Sequence, residues 1–381
     1  MSDSRSTRAA AFAVAAIRHG QPRDKTIFGR VSRREARSVV AHRLPDRGRG
    51  AGRHAAIDLI LFVPAARKLT LIAYLVLVHR YPAQFKRMFK SIYDPANHYL
   101  IHVDKNSGPE LEADIRRFLR GFPNSAILAS HHARWGGYSL VDAELRGMAQ
   151  LLEMGADWEF FVNLSGQDYP LKSQDEIATF LKRNRGKEFI KVLDQRTARP
   201  ETMKRVSRYV VEFEKRIVRT PFPRSFMAGV SPYIGNQWMI VSRRFCEFVC
   251  HDQAAERYKA FYRNTFIADE GFFQTVMMNT TEHGEIVSDD LRMIDWVPDG
   301  DIKLRPRTYL ASDAPELLAS PCLFARKFDA SVDETILDVL DDHLSADDPA
   351  PALAPSIPSR RPVSIPVHAS VPVSQAAFLA S

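Results

Sequence analysis

The folded part of the chain announces itself through two interleaved periods of apolar residues. LTLIAYLVLV (69–78) is apolar at almost every position and rich in β-formers, which predicts a buried strand over 70–78. In PAQFKRMFKSIY (82–93) the spacing changes, and Phe85, Met88, Phe89 and Ile92 fall on one face of a predicted helix. HYLIHV (98–103) predicts a second strand, ending at Asp104. GPELEADIRRFLRGF (108–122) predicts a second helix, with Pro109 suited to its first turn. ILAS (127–130) predicts a third short strand. A β-α-β-α-β rhythm implies an α/β fold with a parallel sheet and helices on its faces. Further on, FFVNLSGQDYPLK (160–172) drives an apolar run into a polar, sharply turning segment. Open α/β sheets hold their ligands at the carboxyl ends of their strands, so this segment is predicted to be a binding loop.

Helix starts carry their own signal. Ser139–Asp142, Ser173–Glu176 and Ser331–Glu334 each have the S-x-x-[DE] spacing of a capping box. These serines are therefore predicted to be caps and not nucleophiles.

Composition narrows the picture. With 381 residues and 45% apolar content the chain has room for one large domain. Its net charge of +8 would suggest nucleic acid, but residues 1–68 hold 15 Lys and Arg against 5 Asp and Glu. The rest sums to −2, which argues against a nucleic-acid-binding domain. Three domains of sequence follow: a basic extension at 1–67, a folded body at 68–342 and a Pro/Ala/Ser-rich segment at 343–381. Both ends are expected to be disordered, and the basic start is either such an arm or a misassigned translation start. The apolar stretches at 10–17 and 57–66 are too short to span a bilayer. Cys246, Cys250 and Cys322 make no disulfide framework and no zinc pattern, which points to reduced thiols and a cytoplasmic setting.

The chain has no Walker loop, no G-x-G-x-x-G after the first strand, no G-x-S-x-G elbow and no H-E-x-x-H helix. What remains is a set of charged residues at element ends. Asp104 ends the second strand, where an acid either binds a ribose or caps its own loop. Glu270, in NTFIADEGFFQTVMMN (264–279), is placed at the start of a helix with Phe273, Val276 and Met277 buried. A carboxylate there is favoured as the anion and suits a general base, or serves only the helix dipole. RPRTY (305–309) and PCLFARKFD (321–329) set Arg307 and Lys327 in turning or apolar surroundings, where Lys327, between Phe324 and Phe328, suits an anion or snorkels to solvent. Asp299 and Asp301, in VPDGD, form an Asp-x-Asp pair in a Pro/Gly turn and read as a solvated turn before a metal site.

Together these segments resemble the core-2/I-branching β-1,6-N-acetylglucosaminyltransferase and peptide O-xylosyltransferase family. The likeness rests on LVHRYP (77–82), IHVDK (101–105), WGGYS (135–139), NLSGQDYPL (163–171), NQWMIVSRRF (236–245), ADEGFF (268–273), PRTY (306–309) and LFARKFD (323–329). WGG-x-S and FARKFD are similar to the xylosyltransferase branch in particular. The resemblance implies a GT-A-like nucleotide-sugar transferase fold, a mostly parallel central sheet flanked by helices, in a metal-independent variant. It implies inverting transfer of N-acetylglucosamine or xylose from a UDP-sugar to a hydroxyl of a glycan or protein acceptor, with no cofactor and no metal. By motif position it makes Glu270 the base, Arg307 and Lys327 the diphosphate pair, and Leu77, Val78 and Asp104 the uridine side. Trp135, Asp168, Gln237 and Trp238 would lie near the sugars, and NLSGQDYPL would form the floor of their site. Animal members carry a membrane anchor and disulfides. This sequence shows neither, so a cytoplasmic enzyme, peripherally associated with a membrane at most, is expected. Two other readings stay open: a catalytically silent sugar-nucleotide or glycan-binding module, and a metal-dependent transferase using Asp299 and Asp301.

Overall fold

A computed structural model describes residues 72–155, 157–213, 216–298 and 304–345. The segments 1–67 and 346–381, and the pair Asp299 and Asp301, lie outside the described residues. The first strand, β1 (Ile72–Val78), is buried at all seven positions. Ile72, Tyr74, Val76 and Val78 enter one apolar cluster, and Ala73, Leu75 and Leu77 enter another. Successive side chains of a strand point to opposite faces, so an unbroken apolar run fits a strand covered on both sides.

The predicted rhythm follows. Helix α1 (Pro82–Ile92) buries Phe85, Met88, Phe89 and Ile92. Strand β2 (His98–Val103) pairs parallel with β1, α2 (Pro109–Leu119) crosses back, and β3 (Ser125–Leu128) pairs parallel with β2. α2 stops three residues short of the predicted end, because Gly121 and Phe122 bond three residues back and tighten the chain out of the helix. β3 starts two residues early because Ser125, polar and so invisible to the apolar pattern, is pinned by its hydroxyl to the Phe122 carbonyl.

The chain then builds α3 (Ser139–Met154), β4 (Phe160–Ser165), β5 (Asp168–Pro170), α4 (Gln174–Arg183) and β6 (Lys187–Ile190). After β7 (Leu193–Asp194) and α5 (Gln195–Ala198) comes a hairpin of β8 (Arg208–Glu212) and β9 (Ile217–Pro223). β10 (Tyr233–Ile234), β11 (Met239–Ser242), α6 (Arg243–His251), α7 (Gln253–Tyr262) and α8 (Phe272–Met278) follow. The last part holds β12 (Glu285–Val287), β13 (Arg292–Ile294), β14 (Trp296–Pro298), β15 (Leu304–Pro306), α9 (Ala314–Ala319), β16 (Phe324–Arg326) and α10 (Thr335–Ser345). α10 runs past the expected boundary at 342.

The central sheet has the order β12-β6-β11-β4-β1-β2-β3. It is α/β and mostly parallel, as expected; β11 alone runs against its neighbours β4 and β6. The sequence moves outward from β1 to β3 and then returns to the other side of β1 with β4. This makes β1 and β4 the switch point, where α/β sheets open a crevice at their carboxyl ends.

Two expectations need correction here. NLSGQDYPL is not a loop. Asn163, Leu164 and Ser165 complete β4, and after Gly166 and Gln167 the chain enters β5, which pairs with β16. Every residue from Phe160 to Leu171 is buried. The polar side chains are tolerated because they join elements: the Asn163 amide donates to Glu144 and to the Gln237 carbonyl, and its oxygen accepts from Met239 N–H. Of the three predicted caps only Ser173 forms its box with Glu176. Ser139 is already inside α3 and donates to Glu212. Ser331 donates to Asp329, while Asp333 accepts from Thr335 N–H at the start of α10.

Candidate active site

The crevice is built from strand ends. β1 ends at Val78 and runs into His79 and Arg80, and β2 ends at Val103 and runs into Asp104. β4 ends at Ser165, and its next residue Gly166 donates to the Leu77 carbonyl at 3.0 Å. Because β11 is antiparallel to β4, its entry, Gln237 and Trp238, lies at this same edge. β16 is antiparallel to β5, with Arg326 opposite Asp168, which delivers Arg326 and Lys327 there too.

Leu77 and Val78 are buried, and their carbonyls are taken by Gly166 and Asp104 N–H. Asp104 has two uses. Its Oδ1 accepts from Asn106 and from Ala133 N–H, the loop-capping reading, while Oδ2 makes no hydrogen bond among the described residues.

The cations cluster. Arg80 donates to Gln167 and stacks on Tyr81. Lys327 has no carboxylate within ion-pair reach among the described residues; burial, Arg80 and Arg326 lower its pKa. His79 is pushed down to about 4 by desolvation and by Arg80 and Arg326, against Asp104. Arg80, Arg326 and Lys327 thus act on one another at this edge, with Asp329 offsetting part of that charge at Lys327. The segment that carries Arg307 is joined to that of Lys327, since Tyr309 N–H donates to the Lys327 carbonyl at 2.9 Å, but it is Arg305 and not Arg307 whose charge acts on Lys327. The Arg307 guanidinium already holds Asp295 at 2.6 Å and Asp313 at 2.8 Å, which raise its pKa and offset its charge.

Glu270 sits in a short 3-10 turn, Ala268–Glu270, immediately before α8 and not in its first turn. α8 buries Phe273, Val276 and Met277, but also Phe272, Gln274 and Thr275. Arg205 holds the Glu270 carboxylate at 2.6 Å, and the Glu270 carbonyl accepts from Gly235 N–H, two residues before Gln237. The pair is only partly covered, with 30% of the Glu270 side chain exposed, so a hydroxyl can reach its carboxylate. Trp135 lies against the same turn: it is 61% exposed, its ring meets Phe266 edge-on, and Ile267 N–H donates to the Gly136 carbonyl. Gly136 has φ +80°, and a Cβ there would come within 2.7 Å of the Phe266 ring, so the WGG turn depends on glycine.

Three of the sugar-side residues have different surroundings from those expected. Asp168 is fully buried and bound to Arg326 at 2.8 Å, with Arg292 at 3.8 Å. Trp238 is buried between the guanidinium groups of Arg292 and Arg326. Gln237 donates to Glu144. All three are at the crevice edge, but as supports of it. Behind them lies an acid pair absent from the sequence reading. Glu144 is raised to about 8 and Asp269 to about 7, chiefly by burial. Each leaves one carboxyl oxygen without a hydrogen bond. Sequence reasoning also missed Arg205, which stands 65 residues from its partner with no motif around it. Arg80 and Arg326 stand inside LVHRYP and LFARKFD, but neither was singled out as a candidate.

Among the described residues no group of three or more His, Cys, Asp or Glu is arranged to hold a metal ion, and no helix is long and apolar enough to cross a membrane. Cys246 and Cys250 are free thiols, and Cys322 is buried.

Comparison with known proteins converges on this part of the chain. The profile of the Core-2/I-Branching enzyme family matches residues 72–319. Rat xylosyltransferase 1 is 33% identical over 297 residues, covering 73% of this chain and 36% of the relative. Xylosyltransferase 2 of chimpanzee and of human are each 31% identical over 294 residues, 72% of this chain and 33% of theirs. The chain thus spans about a third of the length of the curated relatives it matches. The mixed α/β architecture is consistent with a GT-A-like glycosyltransferase domain, and the match over the sheet, the crevice and the Glu270 turn means that the chain belongs to the Core-2/I-Branching enzyme family.

Proposed function

We propose that the chain transfers a sugar, with inversion, from a UDP-sugar to a hydroxyl of a glycan or protein acceptor. The observation that carries this reading is the pairing of a half-open carboxylate, Glu270, with a cation cluster at the switch-point crevice. Glu270 takes the proton of the acceptor hydroxyl as its oxygen attacks the anomeric carbon from the face opposite UDP. The departing diphosphate gathers negative charge, which the ammonium of Lys327 meets, with Arg80 beside it. Fixed charges of this kind act without reorganising at the moment of reaction. Arg307 holds its segment through Asp295 and Asp313 and brings its charge to the diphosphate only in part. Uridine lies on Leu77, Val78 and Asp104. Trp135, the one exposed aromatic ring beside the Glu270 turn among these residues, covers the sugar, and Asp168, Gln237 and Trp238 brace the floor. The relatives' name favours xylose over N-acetylglucosamine as the donor sugar. The free thiols of Cys246 and Cys250 suit a reducing compartment and a cytoplasmic placement.

The test is UDP release over a panel of UDP-sugars and acceptors, with and without EDTA. UDP-xylose turnover that survives EDTA is expected, since Lys327 and Arg80 stand where a cation would act. Loss on chelation, restored by Mn²⁺, would overturn the metal-independent mechanism and bring in Asp299 and Asp301. Tight sugar-nucleotide binding without turnover for any pair would leave a silent binding module.

A further inference from the structure

The β8–β9 hairpin carries its apolar side chains on the wrong face for a soluble ribbon. Val211 and Val218 are direct cross-strand partners and therefore share a face. Phe213, two residues on from Val211, shares it. These three are 36%, 36% and 49% exposed. Phe222, 66% exposed, and Tyr209, 44% exposed, extend the apolar surface towards the base. The opposite face points inward: Val210 is buried, Glu212 accepts from Ser139 of the WGGYS turn, and Arg219 stacks on Phe266 at 3.6 Å. The ribbon is thus rigidly tied to the turn bearing Glu270, and its apolar face is turned outward. An arginine borders that face: Arg216 is exposed and stacks on Phe213 near the tip.

We propose that this face docks on an anionic lipid surface, with Val211, Phe213, Val218 and Phe222 entering the headgroup region and Arg216 meeting lipid phosphates. Charge complementarity favours an anionic surface, since residues 208–219 hold Arg208, Lys215, Arg216 and Arg219 against Glu212 and Glu214, and Glu212 is turned inward and tied to Ser139. Strand addition by a peptide is disfavoured, because Pro221 and Pro223 remove donors from the β9 edge. A stable protein partner buries roughly 800 Å² a side, more than a face of two valines and two or three aromatics at about 150–250 Å² each readily supplies in this flat ribbon. Aromatic and aliphatic side chains flanked by arginine are what interfacial binding uses. Docking this way sets the crevice beside the bilayer, within reach of a membrane-borne acceptor.

The experiment is co-sedimentation of the full chain with phosphatidylcholine vesicles, with and without phosphatidylglycerol. Binding is expected only to the anionic vesicles and should weaken as salt is raised. Val211→Ser with Phe213→Ser, and separately Arg216→Glu, should weaken it at least about 5-fold with an unchanged unfolding temperature. UDP release with a soluble acceptor should stay the same in both variants. Vesicle binding as tight in the variants as in the parent would overturn the proposal, and would assign the attraction to the cations of residues 1–68. No vesicle binding, together with a dimer that Phe213→Ser disperses, would overturn it in favour of a second copy.

Discussion

At the scale of single residues, Glu270 is defined by what it touches. The Arg205 guanidinium fixes one carboxylate oxygen and keeps the group aimed into the crevice. Glu270→Gln preserves the shape and removes the basic oxygen. Transfer should fall at least about 10²-fold, the lower range for a general base. UDP affinity should hold, because Lys327 lies on different elements. The stability cost should be about 1 kcal/mol or less, since the Arg205 pair is partly exposed. UDP titration, UDP release and a thermal melt of the one variant separate these; near-normal turnover would remove Glu270 from the mechanism.

At the scale of elements, hydrogen bonding sorts apparently equal sequence signals. Three S-x-x-[DE] stretches read alike as capping boxes, yet only Ser173 satisfies the amide of Glu176 while Glu176 returns the bond. Ser173→Ala should cost about 1 kcal/mol, and Ser331→Ala clearly less, in paired denaturant titrations. The buried acid on α3 gives a second element-level prediction. Glu144, raised to about 8, and Asp269, raised to about 7, bind protons in the folded state that they release in the unfolded chain above about pH 4. Their contribution is fully present at low pH and is lost as pH rises through about 7 to 8. The unfolding temperature should therefore drop progressively between about pH 4 and pH 8. Glu144→Gln keeps an oxygen for Asn163 and Gln237 and should flatten that drop. An unchanged pH slope would mean that Glu144 is not protonated in the folded protein.

At the scale of the molecule, the crevice exists because chain order and strand direction disagree. Lys327 and Arg80 are 247 residues apart and meet because β16 turns back against β5, which continues from β4 beside β1. Lys327→Ala should weaken UDP binding and slow turnover by about 2–4 kcal/mol, the range for a preorganised charge. Arg307→Ala should act differently, lowering stability more than UDP affinity, because its charge is held by Asp295 and Asp313. Isothermal titration of UDP against both variants distinguishes the two, and equal losses of affinity would restore the symmetrical diphosphate pair.

The sequence alone determined what depends on local period and neighbouring chemistry. The unbroken apolar β1, the amphipathic α1 and Pro109 at the start of α2 were all legible, because each is specified within a few residues, whereas the separate turn that carries Glu270 ahead of α8 was read as the start of the helix itself. What it left undecided depends on partners distant along the chain. A polar run such as NLSGQD reads as a loop until Glu144, Gln237 and Arg326 arrive to satisfy it inside the sheet. An arginine such as Arg307 reads as a free cation until two carboxylates close on it, and Arg205 has no meaning until Glu270 stands opposite. Burial and electrostatic pairing are properties of the packed tertiary structure: whether a polar side chain faces water, ligand or another charge is set by the element laid across it, and no local pattern encodes which element that will be.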